Sequence, residues 1–404
     1  MKNKSRTLDV VVAGHLCLDI IPKFPKLNAK TMGDIFVPGT IVKVGDAAIS
    51  TGGPVSNTGL ALKKLGLQVA LIGKVADDFF GKTILDLLKA AGVDKGINCV
   101  PSQNEATSYA IVISPSGFDR MFIHNPGTSN TFGYSDIEFK LVEQAKLFHL
   151  GYPQSMRKLY INHGRELIKI FKRVKRLGVT TSLDMSLADP KSESGKADWN
   201  RILKHTLPYV DIFLPSVEEM LFMLDQKLYF RLKEIRDGKS ILDGIPVERY
   251  AWMAEKCLAY GAKIVGLKCG HKGIYLRTAD KKSLSKLGIA QPKNLDNWAN
   301  RELWEPSYAV GQIASATGSG DSAIAGFIAA YLRGKSVEES LRYACAVGAL
   351  NLDAFDAVSS IRTWQETTRK IQSNWKKNRL RIKASGWMYD QQYQLWHGPN
   401  DKSF

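Results

Sequence analysis

Apolar positions along the chain fall in short runs, and the period within the runs changes from place to place. DVVVAGHLCLDII (9 to 21) is β-branched and almost continuously apolar, which predicts one buried central strand. Residues 22 to 50 carry Pro and Gly breaks and short alternating runs such as DIFVPGTIVKV, which predict strands of a small, half-exposed sheet. A helical run, TGLALKKLG, follows GGPVSN (52 to 57); QVALIGKV then predicts a strand and GKTILDLLKAAG a helix that Gly92 stops. SYAIVISPSGFDRMFIH (108 to 124) alternates on both sides of Pro-Ser-Gly and predicts a hairpin joining the 22 to 50 strands. Beyond it, AKLFHLGY, a basic amphipathic helix around RELIKIFKRVKRLG, VTTSLDMS, YVDIFLPS, a helix near 217 to 225, AKIVGLKCG and GIYLRT repeat the strand–helix rhythm. That rhythm predicts a mainly parallel sheet covered by helices on both faces.

Two stretches break it. Residues 279 to 305 are polar without clear period and read as a surface insertion, one form of which is a loop over a site. After Thr367, seven Lys and Arg residues precede the next acid, Asp390, so 368 to 404 reads as a solvated, partly helical basic tail behind a domain of residues 1 to 367.

Composition narrows the classes. The chain has 404 residues, 44% hydrophobic and 24% charged, an ordinary globular mix rather than a disordered or collagen-like one. Its 56 Lys and Arg against 39 Asp and Glu leave a net +17, which favours anionic partners such as phosphorylated small molecules, nucleic acid or an acidic membrane surface. Five scattered cysteines without C-x-x-C suggest neither a zinc site nor a disulfide framework and fit a cytoplasmic setting. No apolar stretch reaches the ~18 residues of a membrane span.

The strongest chemical feature is SATGSGDSAIAGFIAAYLRG (315 to 334): Gly318, Ser319 and Gly320 stand directly before a helix. Unpaired N–H groups and a partial positive charge at a helix start suit a phosphate, and small residues allow close approach. Asp321 at this mouth can accept a proton from a substrate hydroxyl; an N-cap of a buried helix is its structural alternative. The lysine-bearing G-x-x-x-x-G-K-[ST] loop is absent. In TGGPVSN, Gly52 and Gly53 permit close backbone approach, and Asn57 offers a donor and an acceptor to a polyhydroxylated ligand.

Together these segments resemble the ribokinase-like (PfkB) carbohydrate kinase family. Four blocks carry the likeness in the family's order: VVVAGHLCLD, GGPVSN, ALIGKVADDFFGKTILDLLKAAGVD (70 to 94) and TGSGD. HNPGTSN, SLDMS, PSVEE and GLKCGHKG add to it, over residues 9 to 362. The resemblance implies a three-layer α/β/α sandwich with a mainly parallel central sheet and a small β-sheet lid, drawn from strands at 22 to 50 and 105 to 124. It implies MgATP-dependent phosphorylation of an alcohol group on a sugar, nucleoside or related small molecule. By position, Asp321 is the general base, and the backbone of Gly318, Ser319 and Gly320 is the anion hole. Asp19, Gly52, Gly53 and Asn57 fall on substrate positions. Ser216, Glu219, Lys268, Gly270 and Gly273 fall on cofactor positions, with Glu219 helping to hold Mg²⁺ through water. Relatives commonly dimerise by pairing lid sheets.

The chain departs from the family pattern at Ser315-Ala316, where the family has Asp-Thr, at Ser216, where it has Asn, at Ser319, and at Asp356-Ala357. The first departure bears on an activating monovalent cation and the second on the Mg²⁺ shell. Two alternatives stand beside the kinase: a nucleotide or sugar sensor of the same fold, and a nucleic-acid binder that uses the tail with Trp375 and Trp387. A G-x-G-x-x-G dinucleotide loop after the first strand is absent. His15, His124, His149 and His271 show no metal-ligand spacing and read as satisfied or solvated side chains.

Overall fold

In the computed structural model, which describes residues 6–26, 28–93, 96–115, 118, 120–236 and 240–402, the first apolar run does not stay in one sheet. β1 (Leu8–Gly14) alternates Val11 and Ala13 into one core with Val10 and Val12 into another, so it is buried on both faces. At Gly14 and His15 the chain leaves, and β2 (Cys17–Pro22) opens a second, small sheet with β3 (Ala47–Gly52). The expected single strand 9 to 21 is therefore two. The break falls where a side chain at Gly14, whose φ is +130°, would overlap the Gly151 carbonyl.

β4 (Val69–Ala76) and β5 (Ile97–Val100) return to the large sheet; β6 (Tyr109–Ile113) and β7 (Met121–Asn125) complete the small one as an antiparallel pair. That is the expected hairpin, except that Ser116 and Gly117 of its turn lie outside the described residues. β8 (Ala145–Gly151), β9 (Thr180–Leu183), β10 (Ile212–Phe213), β11 (Ile264–Lys268), β12 (Ile274–Thr278), β13 (Glu302–Glu305), β14 (Met388–Asp390) and β15 (Leu395–His397) follow. The large sheet runs β14-β15-β13-β12-β11-β10-β9-β8-β1-β4-β5, and the small one β3-β2-β6-β7. Pairing is parallel from β5 through β11 and antiparallel from β12 to the β14 edge.

Helices cover both faces, each over its own core. Helices Pro54–Lys64, Ser319–Leu332 and Val337–Asn351 lie on one face; helices Arg157–Arg176, Trp199–Thr206, Val217–Leu224 and Val247–Ala259 lie on the other. This is the expected three-layer α/β/α arrangement with a mainly parallel central sheet and a second, small sheet. Crossover helices force parallel neighbours and put a layer of side chains on each face, which is why the strand sequences are continuously apolar. Among the described residues no helix is long and apolar enough to cross a membrane.

Three expectations change. Among the described residues of 23 to 46 there is no strand: Met32–Ile35 is one helical turn capped by Thr31, and only Ala47–Gly52 of the 22 to 50 stretch pairs as a long strand beside β2. Alternation without a partner edge is not enough to make a strand. The 279 to 305 stretch is not a loop over a site, since its end is β13 and Trp298, Leu303 and Trp304 are buried. Its middle packs at the amino-terminal end of β9, where Ala290 N–H donates to Thr180 Oγ1 at 2.9 Å, the edge opposite the strand ends described below. The tail is not solvated throughout. β14 and β15 extend the large sheet, Lys377 Nζ lies 2.6 Å from the buried Glu305 carboxylate, and Arg301 pairs with Asp401 at 3.0 Å. Trp375 stacks on Tyr308 with centroids 4.3 Å apart, and Trp387 packs on Trp304 and Tyr275. Both tryptophans are thus half-buried against other rings rather than standing free on a solvated tail.

Candidate active site

The carboxyl ends of parallel strands, where the strand order changes direction, are where open α/β sheets form crevices. Here β1 ends at Gly14, β8 at Gly151, β9 just before Asp184 and β11 at Lys268. Onto this edge fold the start of helix Ser319–Leu332 and the start of helix Pro54–Lys64.

Asp321 lies in the first turn of its helix and is 1% exposed. Its Oδ2 accepts from Asn57 Nδ2 at 2.9 Å and from the Tyr152 hydroxyl at 3.0 Å; Oδ1 takes a longer bond from Thr58 Oγ1 at 3.4 Å. A carboxylate offers about four acceptor positions, so this leaves one for a further donor. Burial pushes the Asp321 pKa above the usual carboxylate range, against the opposing pull of Asn57, Lys268, Tyr152 and Thr58. Sequence separation hides the Asn57–Asp321 pair, which the structure closes across 264 positions.

The helix entrance is built by Gly318, the N-cap, with φ +74°. A side chain there would overlap Ala357, so a glycine is needed both for the left-handed turn and for the close approach. Ser319 N–H bends back to the Ala316 carbonyl at 3.3 Å, and Ser319 Oγ follows it at 3.0 Å. The Ser319 amide is thus engaged in the turn, while the first-turn amides of Gly320 and Asp321, beside the Gly318 amide of the expected set, are the ones the helix start leaves for an anion.

Beneath Gly320 lies Lys268, whose Cε sits 3.3 Å from where a Gly320 side chain would begin. Lys268 Nζ is paired with Asp184 Oδ1 and donates to the Leu214 carbonyl at 2.5 Å. Burial alone would lower the Lys268 pKa; Asp184, Glu219 and Asp321 outweigh it and hold the ammonium above its ordinary value. Burial raises both Asp184 and Glu219, with Lys268 pulling the other way. His149 Nδ1 pairs with Ser182 Oγ at 2.9 Å, and burial, then Lys268, pushes its pKa down to about 3, so the ring is neutral. One ammonium thus pairs with the buried Asp184 and acts electrostatically on the buried Asp321 and the half-buried Glu219.

Glu219 and Ser216 form a reciprocal cap: Ser216 N–H donates to Glu219 Oε2 at 2.7 Å, and Glu219 N–H donates to Ser216 Oγ at 3.3 Å. Ser216 Oγ and Glu219 Oε2 are thus each engaged once in the cap of helix Val217–Leu224. Gly270 and Gly273 sit in the turn between β11 and β12, on the same edge as Lys268 but outside the hydrogen-bonded cluster around Asp321.

On the lid side, Asp19 is 7% exposed. A side chain at Gly52 would overlap both its carboxylate oxygens, so Gly52 makes the space that Asp19 occupies. Cys17 Sγ donates to Asp19 Oδ1 at 3.3 Å. Burial first, with the Asp321 charge adding, raises Asp19 to about 6 against the Cys17 bond. Gly53 caps helix Pro54–Lys64 beside the His15 carbonyl. His15 Nδ1 pairs with Ser129 Oγ at 2.8 Å and faces His124 across 5.2 Å; burial, then His124, pushes His15 down to about 3.

A stability prediction arises from Asp19. Folded Asp19 binds its proton more tightly than unfolded Asp19, so its buried charge is free of penalty below about pH 4, and the penalty grows as pH rises through 6. Asp19→Asn is expected to stabilise the fold by about 2–3 kcal/mol at pH 8 and by almost nothing at pH 4. Chemical denaturation at the two pH values measures this; equal effects at both would contradict it.

Tyr152 and Asp184 were not singled out from the sequence. Each follows directly on the end of a parallel strand, which is the signal that could have found them. Tyr152 is also a non-glycine residue at φ +61°, a strain that commonly marks functional sites.

Among the described residues no three His, Cys, Asp or Glu side chains are grouped to cage a metal by themselves. The donor set instead fits a magnesium ion that keeps most of its water and is carried on phosphates, with one or two carboxylates nearby. Asp184 and Glu219 are those at hand.

A model of the pfkB family carbohydrate kinases matches residues 7–364. An uncharacterized sugar kinase of Archaeoglobus fulgidus is 24% identical over 298 residues, 74% of this chain and 96% of that protein. Arabidopsis thaliana ribokinase complexed with ribose and ATP superposes with a TM-score of 0.64 at 21% identity, covering 90% of this chain and 99% of that one. A fructokinase from Xylella fastidiosa with bound ATP superposes with a TM-score of 0.65 at 16% identity, covering 90% and 98%.

Proposed function

The chain belongs to the pfkB family of carbohydrate kinases, and we propose that it transfers the γ-phosphoryl group of MgATP to a hydroxyl of a sugar or related small polyol. The observation that carries this reading is the convergence of the Asp321 carboxylate, the first-turn amides of its helix and the Lys268 ammonium on one strand-end crevice facing Asp19 and Asn57. Likeness to proteins solved with ATP, and with ribose in one case, supports the choice of donor and acceptor class.

MgATP, when bound, supplies the phosphoryl group and the divalent charge that offsets its oxygens. Every other element belongs to the chain. Asp19 and Asn57 hold the acceptor's hydroxyl groups, Asp19 as acceptor and Asn57 through an amide that can give and take hydrogen bonds. Asp321 takes the hydroxyl proton on its carboxylate, whose remaining bonds from Asn57, Tyr152 and Thr58 fix its direction. Its raised pKa makes it a better proton acceptor than an exposed aspartate while leaving it ionised above that pKa. The amides of Gly320 and Asp321 meet negative charge as it moves, an effect worth about 3–4 kcal/mol in comparable sites. Lys268 keeps the floor of that hole positive, and Asp184 keeps Lys268 in place. Glu219 and Asp184 would stand toward the magnesium. The small sheet β3-β2-β6-β7 carries Asp19 and, acting as a lid, would exclude water, which otherwise competes as acceptor.

The Asp19 cavity gives a specific expectation. Gly52→Ala would push the Asp19 carboxylate from its seat. The KM for the acceptor should rise about 10- to 100-fold while the KM for ATP stays within about twofold, as expected for misplaced positioning. Equal changes in both constants would contradict the assignment of Asp19 to the acceptor.

A coupled ADP-release assay over neutral sugars, sugar phosphates and nucleosides tests the whole reading. Acceptor-dependent ADP formation supports it. ATP binding without turnover on any alcohol would favour a sensor of the same fold.

A further inference from the structure

We propose that the chain carries a second ligand site, on the sheet face opposite Asp321, that takes an organic phosphate with an apolar body. The site is a cavity of about 530 Å³ between the Gly270–Lys272 turn and tail residues 378 to 382. It is not part of the crevice described above. Trp304 of β13 faces this cavity and packs on Tyr250 with centroids 4.6 Å apart, in the core under helix Val247–Ala259. The helix carrying Asp321 packs in the other core, and Glu305, the next residue along β13, turns to that side to meet Lys377.

The tail segment presents a period-two pattern, as an extended chain does. Leu380 and Ile382 are half-buried and pack on the core, while Arg379 and Arg381 are exposed between them. The cavity thus has an apolar side, made by Ile245, Val247, Leu380 and Ile382, and a cationic side. On the cationic side Lys272, Arg379 and Arg381 stand against one carboxylate, Asp243, so three positive charges less one negative leave +2. Asp243 is already met by His271 Nε2 at 3.0 Å, by Arg236 Nη2 at 3.5 Å and by Lys272 Nζ at 3.6 Å. Among the described residues neither Arg379 nor Arg381 has a carboxylate partner, and both line the cavity beside its apolar side. Guanidinium forks match phosphate oxygens in pairs, and a phosphomonoester carries about −1.5 to −2 at pH 7, which matches the surplus. The apolar wall excludes a bare anion as the best occupant and favours one with a hydrocarbon or aromatic body. The volume suits a molecule of drug-like or nucleotide size.

Isothermal titration of the full chain with 1-naphthyl phosphate tests the site. The wild-type chain is expected to bind it, and inorganic phosphate at least tenfold more weakly. Arg379→Ala/Arg381→Ala is expected to lower the affinity at least tenfold with an unchanged melting temperature. Val247→Trp, which keeps both arginines and fills the cavity, is expected to abolish binding. No binding by the wild-type chain, or undiminished binding by the double variant, would overturn the proposal; equal affinity for inorganic phosphate would overturn the ligand class.

Discussion

Asp321→Asn is expected to reduce turnover by at least about 10²-fold while leaving ATP affinity within about twofold of the wild type. Asparagine keeps the size of the side chain and one oxygen but has no basic lone pair for a hydroxyl proton. Two of the groups that hold the carboxylate, Asn57 Nδ2 and the Tyr152 hydroxyl, are donors, so the new amide must also turn its oxygen toward them. In the proposed mechanism anion binding rests on backbone amides that the substitution does not remove, which is why binding and turnover should separate. The pH profile adds a second reading of the same residue. Burial raises Asp321, and the base must be ionised to act, so the acid limb of kcat/KM should lie above the range of an ordinary carboxylate. An acid limb at the ordinary value, or a variant with turnover near wild type, would place the base elsewhere.

Lys268→Met is expected to cause the largest loss of stability. Lys268 is paired with Asp184, whose side chain is 2% exposed, and methionine of similar length would leave that carboxylate without its counter-charge. Removing one partner of a buried pair costs about 3–5 kcal/mol. The sign with pH follows from Asp184. Burial raises its pKa and Lys268 opposes the rise, so without the lysine the proton is held more tightly still. The destabilisation should therefore be greatest at alkaline pH and shrink as pH falls and Asp184 becomes neutral. Lys268→Met/Asp184→Asn removes the stranded charge and should recover much of the loss, without recovering turnover. Denaturation of the single and double variants at pH 6 and pH 9 measures both effects. A single variant as stable as the wild type at pH 9 would show that the pair contributes little.

The strand–helix rhythm and the glycine turn at the start of the Asp321 helix were legible because both depend on local pattern: continuous apolar runs for strands buried on two faces, and small residues for a tight entry into a helix. What local pattern does not record is partner choice. The run 9 to 21 is uniformly apolar, so nothing in its period shows that β1 and β2 belong to different sheets; the division comes from the contact of Gly14 with Gly151. Residues 34 to 44 alternate like a strand, yet β2 is already paired on its two edges by β3 and β6, and no edge remains for them there. Met388–Asp390 and Leu395–His397 are short and sit in a basic context, and their strand character depends on the β13 edge exposed by Leu303 and Trp304. In the site, Asn57 and Asp321 were each legible, but Tyr152 and Asp184 were not, because each acts through a residue far away in sequence. Lys268 was placed on the nucleotide side by its turn. Its position beneath Gly320 and its pairing with Asp184 come from three strand ends meeting, which no single segment encodes.

The most direct test of the central claim follows the phosphoryl group itself. Phosphorus-31 NMR of the wild-type chain with MgATP and the acceptor selected from the sugar panel should show one phosphate ester formed for each ADP, and no ADP without the acceptor. Release of inorganic phosphate at the same rate with and without the acceptor would contradict the account.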